Sequence, residues 1–265
     1  MVVFAVICLL FGGLLLVIAV LRLLHPLPPL FGRSESTHFL DTDNTPLARR
    51  LIPARRKHAG LSGVHIITEG HEAFAARRAL AKAAARCIDA QYYIWHGDLT
   101  GKLLILDMLE AADRGVRVRL LLDDNPTAGL DALWSAVNAH ENIEVRLFNP
   151  FTIRRPRSFN YVTDFKRLNR RMHNKSFTAD NQATIVGGRN IGDEYFNATD
   201  ELQFADMDVL AVGAVVGDVS AEFDRYWASA SSYPVELLTA ASERELARQR
   251  AALEATERSE DGTAY

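Results

Sequence analysis

Val116-Arg117-Val118-Arg119-Leu120-Leu121-Leu122 is an apolar, β-branched run closed by Asp123-Asp124-Asn125-Pro126. A run of that length, ended by residues that favour turns and helix caps, predicts a strand followed by a break. Upstream, Ile88 to Trp95 predicts a second buried strand, and Leu103 to Arg114 carries the apolar period of an amphipathic helix that Gly115 stops. Further upstream, Val64-His65-Ile66-Ile67 predicts a strand and the Ala/Arg-rich stretch from Glu72 to Arg86 a helix. Downstream come a helix over about 129–139 and a strand from Ile143 to Leu147. A β-α-β-α-β order implies right-handed crossovers, and so an α/β fold with a largely parallel sheet flanked by helices.

The 265 residues are 48% apolar and 24% charged, which excludes a disordered or collagen-like chain and allows a sizeable core. A net charge of −3 does not by itself point to nucleic acid. Cys8 and Cys87 lie far apart with no zinc spacing, which leaves a thiol or zinc mechanism without support. The N-terminus departs from these averages. Val2 to Val20 holds no charge, and Leu21, Leu23 and Leu24 extend the run past Arg22, long enough for one transmembrane helix over residues 1–24. No basic n-region or small-residue cleavage site marks it as a cleaved signal. Arg33, Arg49, Arg50, Arg55, Arg56 and Lys57 follow the run, which predicts a single-pass inner-membrane protein with its bulk in the cytoplasm. Residues 25–62, rich in proline and without apolar period, predict a juxtamembrane linker; residues 63–235 form the domain, and 236–265 a helical polar tail.

Between Arg146 and Arg171 lie eight basic residues and one acid, Asp164; beyond residue 192 the balance reverses to sixteen acidic against five basic. Such a run usually marks a solvated face, but this one abuts His173-Asn174-Lys175-Ser176-Phe177-Thr178-Ala179-Asp180, and that placement points to phosphate or anionic lipid. In an extended segment His173 and Lys175 share a face, so the imidazole can attack phosphorus while the ammonium neutralises an oxygen. Gly187 and Gly188 predict a tight turn that lets substrate approach, and the Asn190 amide a further donor to phosphate.

His-x-Lys-x₄-Asp followed by Gly-Gly and Asn resembles the HKD motif of the phospholipase D superfamily. Gln91-Tyr92-Tyr93-Ile94-Trp95, Ala111 to Arg119, Phe148-Asn149-Pro150-Phe151 and Arg171 to Lys175 are similar to the N-terminal half of bacterial cardiolipin synthases, particularly the C type. The resemblance covers about residues 63–235. It implies a mixed sheet between helices, a phosphatidyl-histidine intermediate and transfer of the phosphatidyl group to an alcohol, without a metal cofactor, with phosphatidylglycerol or phosphatidylethanolamine as phospholipid substrate. It also implies a carboxylate to hold the imidazole, for which Glu201 is the best match, while Asp180 orders the motif's own loop.

The superfamily site uses two such motifs, one histidine attacking and the other protonating the leaving alkoxide, and this sequence has one. The second is expected either in cis, as the missing half of a longer enzyme, or from a homodimer partner. The first of these is favoured by the likeness to a two-motif synthase. A membrane-anchored phosphatidyltransferase is the leading reading. The alternatives are a homodimeric phosphodiesterase, either phospholipase or nuclease, and an inactive lipid-binding half-protein.

Overall fold

The computed structural model describes residues 1–199 and 203–265. In chain order the elements are α1 (Val2–Leu24), α2 (Pro46–Lys57), β1 (Ser62–Ile67), α3 (Gly70–Ala83), β2 (Cys87–Tyr92), α4 (Leu99–Asp113), β3 (Arg117–Asp123), α5 (Asp131–Asn138), β4 (Ile143–Phe148) and α6 (Phe159–Leu168). They continue with β5 (Ser176–Ala179), β6 (Ala183–Gly187), β7 (Asp208–Gly213), α7 (Ala214–Trp227), β8 (Ser232–Pro234), α8 (Glu243–Glu257) and α9 (Glu260–Ala264).

The strands form one sheet in the order β1-β7-β6-β5-β2-β3-β4-β8. It is mixed, as expected, but its parallel part is confined to β2, β3 and β4, the strands joined by the α4 and α5 crossovers. Every other pairing is antiparallel, so the sheet is not largely parallel. Connection length explains the β5–β6 pair, because three residues, 180–182, can only fold a strand back beside its predecessor. Asp180 and Asn181 both have positive φ in this turn, as a type I′ turn requires.

β2 and β3 are buried along almost their whole length, which explains their continuous apolar reading. The arginines of β3 are held on a polar layer. Arg119 pairs in a bidentate fashion with Asp89 of β2 at 2.7 and 2.8 Å, bonds Asp224 of α7 at 2.8 Å and stacks on Phe223 and Trp227.

Two of the expected segments dock on the domain. Residues 25–62 are not merely a linker: Arg33 donates to the carbonyls of Ala228, Ser229 and Ser232, and the carbonyls of Ser34, Ser36 and Thr37 accept from Arg146, Arg119 and Arg117. This strap docks through backbone oxygens, so it needs no apolar period, and α2 follows it with Thr45 as its N-cap. Residues 236–265 are likewise not a free polar tail. Leu253 of α8 is buried, Arg250 pairs with Asp113 of α4, and the Tyr265 hydroxyl donates to the Phe196 carbonyl at 2.7 Å. Cys8 and Cys87 are both free.

Candidate active site

The carboxyl ends of β2, β3 and β4 lie side by side, and in α/β sheets this is where ligands gather. Asp123, the last residue of β3, is fully buried and faces the segment that leads into β5. Its carboxylate accepts from the Met172 N–H at 2.8 Å and from Arg171 at 3.0 Å, and Arg171 also donates to the Asn149 carbonyl at 2.7 Å. The residue before His173 is thus pinned to the sheet by its backbone. Burial pushes the Asp123 carboxyl up to about 6, against Arg171 and the N–H groups of Asn125 and Met172.

His173 is exposed, and its ring lies 4.7 Å from that of Tyr93, centroid to centroid, just past the end of β2. Lys175 is 8% exposed. Its ammonium sits 2.8 Å from His173 Nδ1 and 3.4 Å from Nε2, and donates to the His173 carbonyl at 2.9 Å. The i, i+2 alternation therefore does bring the two side chains together. Desolvation and the like charge of Lys175 lower the His173 pKa below its ordinary value, even though the ring edge remains in solvent, and this favours the neutral imidazole a nucleophile needs. Burial lowers the Lys175 pKa, and the Asp206 carboxylate opposes the shift.

Asp180 lies at the other end of β5 and does not touch this pair. It is fully buried and accepts from the backbone N–H groups of Ala85, Arg86 and Cys87 at 2.7 to 3.1 Å, closing the turn from α3 into β2. Its carboxylate thus holds a turn distant in sequence, whereas the sequence reading has it ordering the motif's own loop.

The family model for the cardiolipin synthase, PLD-like domain matches residues 76–227, which include all of these residues. The chain belongs to this family. It is 52% identical over 201 residues to cardiolipin synthase C of Escherichia coli (strain K12), an alignment that covers 76% of this chain and 42% of that protein. An uncharacterised protein of Helicobacter pylori (strain ATCC 700392 / 26695) is 40% identical over 77% of this chain and 41% of its own length. The chain spans about four tenths of these relatives. The fold is also similar to the crystal structure of phosphatidylserine synthase from Haemophilus influenzae Rd KW20, with a TM-score of 0.50 and 13% identity over 78% of this chain and 47% of that one.

Within this PLD-like domain the glycine pair works differently from the sequence expectation. A Cβ on Gly187 would lie 2.6 Å from the Met207 carbonyl oxygen and from Asp208 Cα, and one on Gly188 would collide with the Asp206 carboxylate. These glycines admit the segment entering β7; the space a side chain would take is filled by protein, not left for substrate. Asn190 is also largely committed. Its Oδ1 accepts from the Ile94 N–H at 3.0 Å and its Nδ2 donates to the Tyr195 hydroxyl at 3.0 Å, so one amide N–H remains for a ligand. Asn190 thereby stitches the loop after β6 to the loop that carries Tyr93.

Glu201 lies outside the described residues. Among the described residues, the acid that acts on Lys175 is Asp206, which the sequence does not single out. Its signal was the alternation Asp206-Met207-Asp208, in which Asp208 is fully buried against Arg77 at 2.9 Å and Asp206 is only half-buried. Tyr93 and Asp123 were also missed as site residues, because they read as strand core and turn. His96, the other histidine near this loop, is 45% exposed in its side chain and lies 3.2 Å from Glu194 through Nδ1. The basic run is mostly structural: Arg154 and Arg157 pair with Asp124 and Asp131, Arg167 with Asp164, Arg146 with Glu144 and Arg171 with Asp123. Among the described residues, Arg155, Lys166 and Arg170 of the run keep exposed side chains without an ion-pair partner.

Proposed function

We propose that the chain forms one catalytic half of a membrane-anchored phosphatidyltransferase of the cardiolipin synthase type. The observation that carries this reading is the Lys175 ammonium 2.8 Å from the imidazole of His173. A lone pair on the imidazole attacks the phosphorus of a phospholipid such as phosphatidylglycerol or phosphatidylethanolamine, and an N–P bond forms as the P–O bond to the leaving alcohol breaks. Lys175 and the remaining Asn190 N–H offset the charge that gathers on the non-bridging oxygens. The departing alkoxide needs a proton, and a second His-x-Lys-x₄-Asp half supplies it, in cis or from a second copy. An acceptor alcohol then gives its proton to the second half's histidine and attacks the phosphatidyl-histidine, forming the new O–P bond as the N–P bond breaks and frees the imidazole.

α1 is long and apolar enough to cross a membrane, and none of its residues is buried. It supports an inner-membrane, single-pass placement, and the arginines that follow it support a cytoplasmic catalytic domain. The test is to incubate the full chain in phosphatidylglycerol vesicles with a polypeptide bearing a second His-x-Lys-x₄-Asp, and to quench at alkaline pH, where phosphoramidates survive. A phosphatidyl adduct on the His173 peptide, absent from His173→Ala, is expected. Undiminished product formation by His173→Ala would remove this residue from the mechanism.

A further inference from the structure

α6 is built inside out. Its protein-facing side carries polar Asn160 and Thr163, whereas Phe159, Val162 and Phe165 are 51%, 55% and 60% exposed. Asn160 explains how a polar side can dock: its Oδ1 accepts from the N–H groups of Thr152 and Ile153, and its Nδ2 donates to the carbonyls of Ile153 and Arg157. Hydrogen bonds and buried Leu168 hold the helix, which is kinked at Asp164, and Phe159, Val162 and Phe165 are left over. A water-facing helix normally shows the reverse pattern.

The position of α6 says what covers that face. Arg22, in the last turn of α1, donates through Nε to the Thr163 carbonyl, and α1 packs on α6. At about 1.5 Å per residue, the 23 residues of α1 match a hydrocarbon core of about 30 Å, so an arginine in its last turn marks the level of the headgroups. Thr163 shares that level, and with it the outward residues Val162 and Phe165. The three unpaired cations of the basic run, Arg155, Lys166 and Arg170, are exposed on and around the same helix. Apolar side chains flanked by free cations at this depth complement an anionic lipid surface.

We infer that α6 is an interfacial helix that lays Phe159, Val162 and Phe165 into the cytoplasmic leaflet, with Arg155, Lys166 and Arg170 on anionic headgroups. Four residues separate the end of α6 from His173, and Asp123 ties the last of them to the sheet. Docking of α6 therefore holds the nucleophile at the bilayer surface, near the phosphates of its substrate. The inference rests on the reading of α1 as a membrane span.

The experiment uses the full chain, one copy per lipid nanodisc, with the environment-sensitive fluorophore NBD attached to cysteine. Native Cys8 in α1 is exposed to lipid and serves as the anchor probe, while buried Cys87 has its thiol pushed up to about 12 and stays unlabelled. In a Cys8→Ser background, Phe165→Cys is labelled, and Glu243→Cys on exposed α8 gives the solvent reference, each checked for an unchanged circular-dichroism melt. In phosphatidylglycerol discs the probe at 165 should emit to the blue of the reference and lose about half its emission to lipids spin-labelled near the headgroup. Lys166→Glu with Arg170→Glu should reduce that quenching, as should phosphatidylcholine discs. Quenching at Cys8 with solvent-like emission at 165 would overturn the inference and leave the anchor standing. No quenching at Cys8 would instead defeat the anchor, and docking with it. Shielding at 165 that appears only when several chains share a disc would identify a second copy as the occupant and overturn the lipid assignment.

Discussion

The two ends of β5 carry the two halves of one motif and do opposite work. At the N-terminal end, His173 is exposed and Lys175 reaches back to it; at the C-terminal end, Asp180 is sealed off and spends its carboxylate on three backbone N–H groups. The four residues between Lys175 and Asp180 are β5 itself, Ser176–Ala179. The motif's spacing is therefore the length of a strand across the sheet. On the proposed reading one end meets substrate, and the other fixes where the strand stops.

The largest expected effect separates the two ends. His173→Ala should lower phosphatidyl transfer by at least about 10³-fold while the thermal unfolding curve stays in place, because it removes the attacking nitrogen from an exposed position. Asp180→Ala should do the reverse in kind. It leaves the N–H groups of Ala85, Arg86 and Cys87 without their acceptor and costs about 3 kcal/mol or more of stability, read from denaturant unfolding. A stable Asp180→Ala protein with lost activity would move Asp180 into the chemistry and break the contrast.

A smaller structural effect tests the glycine pair. Gly187→Ala places its Cβ against the backbone of Met207 and Asp208, which cannot turn aside as a side chain can, and should cost about 1–3 kcal/mol. Its expected signature is a lowered melting temperature, with the activity of the folded fraction kept. If stability is unchanged and the KM for lipid rises, the glycines serve substrate approach after all.

What the sequence makes legible follows the same division. The parallel strands β2, β3 and β4 and the helices between them could be read because each buries an uninterrupted apolar run, and the motif because its chemistry is rare at that spacing. Three kinds of segment stayed hidden. The strap over residues 33–38 binds through the Arg33 side chain and through backbone carbonyls, which every residue provides. α6 docks by Asn160 and Leu168 and leaves Phe159, Val162 and Phe165 outside, which blurs the periodic signal. The site's remaining acids, Asp123 and Asp206, owe their roles to residues about 50 and 30 positions away, Arg171 and Lys175, that only the fold brings near.

The pH dependence sharpens the active end. In the proposed mechanism His173 attacks as the neutral base, and its pKa in the folded protein lies below the ordinary histidine value of about 6.5. The acid limb of the rate profile should therefore rise and level off below that pH, and the imidazole should titrate there by NMR. Lys175→Met removes the like charge, so the histidine pKa should move up toward 6.5 whether or not activity survives. An unmoved titration would mean that desolvation alone sets the value and that the 2.8 Å approach of the ammonium is not kept in solution.

The smallest expected effect is the response to chelators. Charge on the phosphoryl oxygens is to be offset here by Lys175, a role a divalent ion fills in other phosphoryl-transfer sites. Among the described residues, one group of metal-type side chains converges, His96, Asp98 and Glu194, with its ligand atoms within 4.8 Å of one another. Asp98 is already occupied as the N-cap of α4, accepting from the N–H groups of Gly101 and Asp193 at 3.1 and 2.8 Å. A cation there would compete with bonds that hold α4 in place. Treatment of the assembled enzyme with EDTA should therefore leave the rate within about twofold. A strict requirement restored by one divalent ion, and lost in Glu194→Gln, would make this cluster part of the mechanism and leave Lys175 with positioning alone.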